Sequence, residues 1–243
     1  MTLPGQASLE QALELSWPPK HAWTNGPWRL REGAGGGKRV SAATALGPVS
    51  ASDMAIAEAE MQRLEQPRLF RSAAPDDPMS RQLEARGYEI VDPTLFYATP
   101  SARLLNPNQR PLDAIPSDAC LGIHAEIWAA GGIGPARLQV MERATTPKCW
   151  LLARLSGRAA GSAFVSLAGR IAMIHAIEVR PEARRRGAAR AMLHRAAAWA
   201  TEQGADTLAL AVTAANGPAN TLYASLGMRA VGQYHYQIHP EDA

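Results

Sequence analysis

Cysteine is nearly absent from this 243-residue chain, which contains only Cys120 and Cys149. Two cysteines are too few for a disulfide framework or for the usual ligand set of a zinc cluster. Both stand among apolar residues, which is typical of buried thiols. We therefore expect a fold that is held together by a hydrophobic core, with no bound metal.

Long apolar runs and a large excess of charge are also missing. No stretch reaches the ~20 apolar residues that a membrane-spanning helix needs. The N-terminus, MTLPGQASLEQALEL, contains glutamates and lacks the basic and then apolar layout of a signal peptide. The net charge is only +3, which is too small to imply nucleic-acid binding. These absences predict a cytoplasmic protein that binds neither membranes nor nucleic acid.

What the chain does contain is an ordinary apolar content of 47% and enough length for one large domain or two small ones. Its most informative stretch is residues 171–200. The apolar run that ends at Val179 predicts a buried strand, and Pro181 ends it. Gly187 then precedes an alanine-rich helix whose apolar face is formed by Ala189, Met192, Leu193, Ala196 and Ala200.

The turn between this strand and this helix has the chemistry of an anion site. Three arginines, Arg184, Arg185 and Arg186, stand before Gly187. A turn without bulky side chains lets an anion approach the backbone, and the first N–H groups of a helix attract negative charge. The turn is interpreted as a phosphate site, and a solvated helix start is the alternative.

The same turn matches a family motif. It spells R-x-x-G-x-A from Arg184 to Ala189, after V-x-P at Val179 and Pro181. Neither of the common glycine-rich phosphate motifs, G-x-G-x-x-G and G-x-x-x-x-G-K-[ST], occurs here. The pattern resembles the acyl-coenzyme A pyrophosphate loop of the GNAT acetyltransferase superfamily, R/Q-x-x-G-x-G/A.

A second motif follows at the right distance, after a further strand predicted at 207–213. It spells N-x-x-A-x-x-L-Y-x-x-L-G, at Asn216, Ala219, Leu222, Tyr223, Leu226 and Gly227. This is similar to the next motif of the same superfamily. Because the two motifs occur in order with a helix and a strand between them, the chain is identified as resembling a GNAT N-acetyltransferase.

The resemblance implies acetyl-coenzyme A (acetyl-CoA) as the acyl donor. The loop would hold the pyrophosphate through its N–H groups. The backbone of 177–179 would hold the pantetheine arm where strand 171–179 separates from strand 207–213. The Val179 N–H would meet the thioester oxygen, a contact worth roughly 3 kcal/mol. The residues implied in donor binding are Ile177, Glu178, Val179, Arg184, Arg185, Arg186, Gly187, Ala188, Ala189, Arg190, Asn216, Ala219 and Tyr223.

The resemblance also assigns catalytic positions. Tyr223 falls at the position of the general acid, although a core or lid tyrosine is the alternative, and Asn216 could serve only as a helix cap. Certain relatives carry a glutamate at the position of Ala211 and others carry one at the position of Met173, so the base is left open here. Glu178 comes first, then His175 or water, with structural roles for both side chains as the alternative. A weak base favours a less basic amine.

The first half of the chain repeats the predicted element order of the second. LEARGYEIV at 83–91 also echoes LYASLGMRAV at 222–231. We infer an α/β (α+β) fold of two GNAT-like mixed-sheet domains. Residues 1–105 form a degenerate domain that lacks the R-x-x-G-x-G/A loop, and residues 106–243 form the catalytic domain. Residues 100–116 are predicted to be a linker, and helices at 118–128 and 135–144 are predicted to form an acceptor-side lid.

Other elements of the first half are predicted from local pattern. The glycine-rich segment 33–37 is interpreted as a hairpin turn that leads into a strand at 38–46. A magnesium-dependent phosphate loop is rejected because Arg39 replaces the required Ser or Thr. A helix at 52–66, capped by Ser52 or Asp53, is expected to follow.

The sequence thus predicts an N-acetyltransferase, monomeric or homodimeric. It would transfer the acetyl group of acetyl-CoA to a primary amine of a small molecule or peptide by direct attack in a ternary complex. Two alternatives belong to other classes. One is a non-catalytic acyl-CoA-binding or sensing module. The other is an interaction protein that exposes Trp17, Trp23 and Trp28.

Overall fold

A computed structural model describes residues 2–74, 77–110 and 113–243. The helices are α1 (Gln6–Ser16), α2 (Lys38–Ser41), α3 (Ala51–Arg63), α4 (Pro78–Glu84), α5 (Gly122–Ala130), α6 (Pro135–Arg143), α7 (Ala188–Glu202) and α8 (Gly217–Ser225). The strands are β1 (His21–Asn25), β2 (Trp28–Glu32), β3 (Thr44–Ala45), β4 (Leu69–Ser72), β5 (Glu89–Pro100), β6 (Ala114–Ser117), β7 (Lys148–Leu155), β8 (Arg158–Ala168), β9 (Ile171–Val179), β10 (Thr207–Thr213) and β11 (Arg229–Ile238). This mixed composition confirms the predicted α/β fold class.

The chain forms two compact units that interleave along the sequence. The first contains the residues up to Pro18, Phe96–Val212 and Gly217–Val231. The second contains Pro19–Leu95, Thr213–Asn216 and Gly232–Ala243. The expected boundary after residue 105 therefore does not coincide with this division, because α1 belongs to the first unit and most of β11 belongs to the second.

The first unit is built on a mixed sheet with helices on both faces. Its strand order is β5-β10-β9-β8-β7-β6, with only the end of β5 taking part. Successive residues of a strand point to opposite faces. Accordingly, Gly161 of β8 lies beside Met192 of α7, whereas the Ser162 hydroxyl lies 2.7 Å from the His124 ring of α5. Helix α1 also packs on β8 and β9.

The second unit has its own core, to which Trp28, Met54, Phe70 and Leu83 contribute with almost no exposure. Strands β1, β2 and β3 form one small sheet, and β4 pairs antiparallel with β11. Trp28 is fully buried and donates its indole N–H to the Asp53 carbonyl at 2.8 Å. Trp17 is 5% exposed in the first unit. The expectation of exposed tryptophans is therefore wrong at these two positions, and only Trp23 is partly exposed.

The structure corrects two local predictions in the second unit. Residues 38–41 form α2 and not a strand, because Gly37 (φ 94°) turns the chain and the Ser41 hydroxyl donates back to the Gly37 carbonyl at 3.1 Å. Only β3 remains of the strand predicted at 38–46. The cap of α3 is Ser50, which forms a reciprocal capping box with Asp53.

In the described residues, no helix is both long enough and apolar enough to span a membrane. Cys149 is buried as expected, whereas Cys120 is partly exposed, and both thiols are free.

Candidate active site

A β-bulge interrupts β9 in the first unit. Ser162 pairs with Glu178 and Phe164 pairs with His175, so that Ala163 alone stands opposite both Ala176 and Ile177. Ala176 has a φ of 50°, a left-handed conformation that is rare for residues other than glycine. The Trp128 indole of α5 donates to the Ala176 carbonyl at 2.8 Å and fixes the bulge in place.

The bulge changes which side chains share a face. Residues three apart on a regular strand point to opposite faces, but the extra residue cancels this alternation. His175 and Glu178 are paired with Phe164 and Ser162, which are two apart on β8 and share one face. His175 and Glu178 therefore both point to the face of the sheet on which α5 packs.

His175 is enclosed on this face. It is 3% exposed and its Nε2 lies 2.9 Å from the Ser16 hydroxyl at the end of α1. Its ring contacts those of Trp17, at 5.0 Å between centroids, and Phe164, at 6.2 Å. A general base must reach the proton that it removes. This packing argues against the catalytic role predicted for His175 and favours the alternative of a core histidine.

Glu178 lies under the connector between α5 and α6. A methyl group built on Gly131 would come within 2.5 Å of the Glu178 Cδ, so these two residues are in tight contact. The Glu178 carboxylate lies 3.5 Å from an Arg184 nitrogen, and the side chain is 19% exposed. Glu178 is thus the predicted base candidate that remains accessible, and the absence of a side chain at Gly131 makes room for it.

Beyond the bulge, β9 has an open edge. It pairs with β10 only at Ile171, Ala172 and Met173. Farther along, the Arg180 N–H donates across to the Ala160 carbonyl at 2.9 Å. Because backbone groups alternate in direction along a strand, the N–H and carbonyl of Val179 point to the opposite edge, away from β8. The backbone near Val179 is therefore directed toward the edge where β10 no longer pairs.

The turn after β9 ends at an uncapped helix. Gly187 has a φ of 89° and no side-chain cap, and the Ala191 N–H donates to its carbonyl at 2.9 Å. Within the described residues, the N–H groups of residues 187–190 donate to no backbone acceptor outside α7. A Cβ built on Gly187 would meet nothing within 4 Å. The turn therefore offers free N–H groups and open space, which suits an anion.

The predicted loop residues differ in exposure. Arg184, Arg185, Arg186, Gly187 and Arg190 are exposed, Ala189 is partly buried and Ala188 is buried. Arg184 also donates through Nε to the Val179 carbonyl at 3.2 Å, which ties the turn to the open edge. Arg185 has a φ of 61°, so a residue other than glycine is held in a strained conformation at this turn.

Tyr223 lies on α8, near Ser225, the residue through which this helix contacts α7. The Arg190 guanidinium donates to the Ser225 hydroxyl at 3.1 Å, which joins the first turn of α7 to the end of α8. Tyr223 is 6% exposed and its ring lies 5.6 Å from that of Tyr97. Burial raises the pKa of Tyr223 to about 12, so its hydroxyl keeps its proton at neutral pH.

The second motif is divided between the two units. Ala219 is partly buried on α8 in the first unit, whereas Asn216 is exposed and falls in the second. The Asn216 N–H donates to the Thr213 carbonyl at 3.0 Å in the turn that precedes α8.

The structure adds His124 and Trp128 to this neighbourhood, which the sequence did not single out. Their rings stack at 5.7 Å, and burial lowers the pKa of His124 to about 4, so the imidazole is neutral. The run Gly131-Gly132 after α5 was visible in the sequence, but which glycine meets Glu178 depends on the bulge. No cluster of three or more metal-ligating side chains occurs among the described residues.

Known proteins that are similar to this chain include a family model and several solved structures. Residues 123–228 match the model of the Acetyltransferase (GNAT) family. A GCN5-related N-acetyltransferase from Kribbella flavida is 17% identical, with a TM-score of 0.66 and coverage of 98% of this chain and 97% of that one. An acetyltransferase of the GNAT family from Novosphingobium aromaticivorans is 18% identical, with a TM-score of 0.60 and coverage of 95% and 97%.

A tandem GNAT protein from the clavulanic acid biosynthesis pathway is 12% identical and has a TM-score of 0.58, with 93% of this chain and 85% of that chain covered. At these identities the structural likeness shows the fold alone. No curated protein is significantly similar in sequence. The family match covers the segment that contains the β9 bulge, the Gly187 turn and Tyr223. Residues 123–228 are therefore similar to the Acetyltransferase (GNAT) family, and the solved structures show a similar fold over most of the chain.

Proposed function

We propose that the protein is an N-acetyltransferase that moves the acetyl group of acetyl-CoA to a primary amine of a small molecule or peptide by direct attack in a ternary complex. One observation carries this proposal. The β9 strand leaves β10 after Met173, and its free edge leads directly into the uncapped N-terminus of α7 at Gly187. The result is an extended edge followed by an anion site, the order that a pantetheine arm and a pyrophosphate require.

The donor-binding roles follow from this arrangement. The N–H groups of residues 187–190 bind the pyrophosphate, and the charges of Arg184 to Arg186 assist. The backbone of 177–179 pairs with the pantetheine amides as another strand would. The Val179 N–H, directed to the open edge, donates to the thioester oxygen as negative charge develops there.

The chemistry is a single displacement at the thioester carbon. The amine nitrogen forms a bond to this carbon, and the carbon–sulfur bond breaks. The amine proton passes to Glu178, directly or through water, and the departing thiolate takes a proton from the Tyr223 hydroxyl. With a pKa of about 12, Tyr223 can donate only in concert with thiolate formation, because a free thiol has a pKa near ~8.5.

The second unit enters the proposal as a degenerate GNAT-like half that does not bind the donor. The missing R-x-x-G-x-G/A loop supports this assignment, as does the likeness in fold to a tandem GNAT protein over 93% of the chain. We place the protein in the cytoplasm, as a monomer or homodimer, on the sequence arguments above.

A non-catalytic acyl-CoA-binding module is the second candidate. The observation that favours it is the side chain at position 173, where certain relatives carry a glutamate: Met173 is apolar and fully buried. A thiol assay with acetyl-CoA and a panel of primary amines separates the two. Catalysis releases free coenzyme A in proportion to the acetylated amine, whereas the module binds acetyl-CoA without thiol release.

The donor site is tested by Gly187→Glu, with Gly204→Glu as its matched control. Both glycines have positive φ (89° and 79°) and open space around a built Cβ, and they flank opposite ends of α7. The two variants therefore carry a similar backbone strain of roughly 1–2 kcal/mol. We expect Gly187→Glu to weaken coenzyme A binding at least ~100-fold in calorimetry, because a carboxylate occupies the pyrophosphate position. Equal affinities for the two variants would refute the loop assignment.

A further inference from the structure

Helix α5 meets the β9 bulge at three points. His124 and Trp128 lie on one face of the helix, four positions apart, and Gly131 follows at its end in line with them. Each of the three contacts a different residue of the strand pair; in the same order these are Ser162, Ala176 and Glu178. The contacts surround the bulge, so α5 is placed to fix its shape.

Ala176 is the part of the bulge that needs support. Its φ of 50° is unfavourable for alanine, and the extra length of β9 leaves it without a partner of its own on β8. A residue in such a conformation persists only where the surrounding structure holds it. The hydrogen bond of 2.8 Å from the Trp128 indole N–H to the Ala176 carbonyl acts directly on this backbone.

The bulge decides the direction of the Glu178 side chain. Without the extra residue in β9, Glu178 would stand opposite Gly161 and not opposite Ser162. Gly161 faces the other side of the sheet, where it lies beside Met192 of α7. A shift of one residue turns a side chain to the other face, so the carboxylate would then point away from Gly131.

Trp128 is well suited to hold this geometry. Its side chain is fully buried, and its ring stacks on that of His124 with 5.7 Å between the centroids and 29° between the planes. A buried indole N–H needs an acceptor, and in a site from which water is excluded the resulting bond is strong. The stacked ring therefore directs the donor at the Ala176 carbonyl.

We propose that Trp128 is a positioning residue for acetyl transfer: its hydrogen bond to Ala176 holds the β9 bulge and thereby keeps the Glu178 carboxylate beside Gly131. This inference rests on the proposed function, in which Glu178 takes the amine proton. Trp128 itself takes no part in the proton transfer. It acts through the backbone of β9, two residues before the base.

The test compares Trp128→Phe with Trp150→Phe in the full-length protein. Trp150 of β7 is 1% exposed, and its buried indole N–H donates to no described residue. Both variants therefore lose the same atoms from the interior of the first unit, but only Trp128→Phe loses a hydrogen bond. Circular dichroism and thermal unfolding establish that each variant is folded.

We expect Trp128→Phe to lower kcat at least ~10-fold and Trp150→Phe to lower it less than about twofold, because only the former releases the base from its position. The same change is then made in Glu178→Gln. There Trp128→Phe should lower kcat less than about twofold further, since no base remains to be misplaced. An equal loss in Trp128→Phe and Trp150→Phe, or the same loss with and without the Glu178 carboxylate, would overturn the proposal.

Hydrogen exchange followed by mass spectrometry reports on the bulge without turnover. Peptides that cover 171–179 should exchange at least ~10-fold faster in Trp128→Phe than in the wild type or in Trp150→Phe, because the backbone of β9 is no longer held. If no amine is acetylated, or if Glu178→Gln keeps the wild-type kcat, the proposed function fails and these rates alone decide whether Trp128 holds the bulge. Wild-type exchange in Trp128→Phe would show that it does not.

Discussion

Gly131→Ala tests whether Glu178 is the base. A Cβ at position 131 would stand 2.5 Å from the Glu178 Cδ, 2.6 Å from its Cγ and 2.7 Å from its Oε2. The backbone at Gly131 has a φ of −92°, which alanine adopts without strain. The whole conflict therefore falls on the side chain of Glu178, which must move by about 1 Å to regain ordinary van der Waals contact.

The size of the effect follows from this displacement. A side chain forced off its rotamer costs about 0.5–1.5 kcal/mol, so the variant should remain folded. A misplacement of about 1 Å at a catalytic group lowers the rate on the order of 100-fold. We expect kcat to fall by that factor while the Kd for acetyl-CoA stays within about twofold, since the proposed donor contacts use the backbone of β9 and the α7 turn.

Steady-state thiol release and calorimetry measure these two quantities, and Gly134→Ala is the control. Gly134 lies in the same connector, has a φ of −87° and has open space around a built Cβ. Glu178→Gln should reproduce the loss of kcat without any steric change. Wild-type kcat in both Gly131→Ala and Glu178→Gln would show that Glu178 does not take the proton.

Two further predictions concern Tyr223 and α1. Tyr223→Phe should lower kcat by about 10²–10⁴ with little change in donor affinity, as expected for a general acid. Burial raises the pKa of Tyr223 to about 12, so ionisation of this group should not lower the wild-type rate between pH 8 and 10. A fall in rate with an apparent pKa near 9 that is absent in Tyr223→Phe would contradict the assignment. Removal of residues 2–17 should destabilise the first unit, because Leu9, Leu13 and Trp17 are buried and each contributes about 1.5–3 kcal/mol. A truncated protein with an unchanged unfolding temperature would show that this packing contributes nothing.

The sequence predicted best where local pattern and tertiary environment agree. The spacing of apolar residues predicted a helix at 187–203, and α7 spans Ala188–Glu202. The strand predicted at 207–213 matches β10. Helix α7 packs on β7, β8 and β9 through its apolar face, and β10 is a largely buried strand of the same sheet, so that the apolar pattern of each agrees with its burial.

Prediction was poorer where tertiary packing decides. The sequence predicts a strand at 38–46, yet the positive φ of Gly37 starts a helical turn at 38–41. Trp17 and Trp28 looked available for partners, but the packing of α1 and α3 covers them, and no local signal carries that information. The interleaving of the two units has the same origin, since the last strand pairs with β4, far away in sequence.

The candidate site was predictable only in part, because its geometry depends on one extra residue in β9. The regular alternation of a strand would direct His175 and Glu178 to opposite faces, and it offers no reason to expect Gly131 beside the latter. The bulge at Ala176 brings both side chains to one face, where α1 encloses His175 and the missing side chain of Gly131 leaves Glu178 room. The same strand then loses β10 as a partner. Motif spacing located the turn at Gly187, whereas our proposal of Glu178 and not His175 as the base depends on the register of β9 against β8.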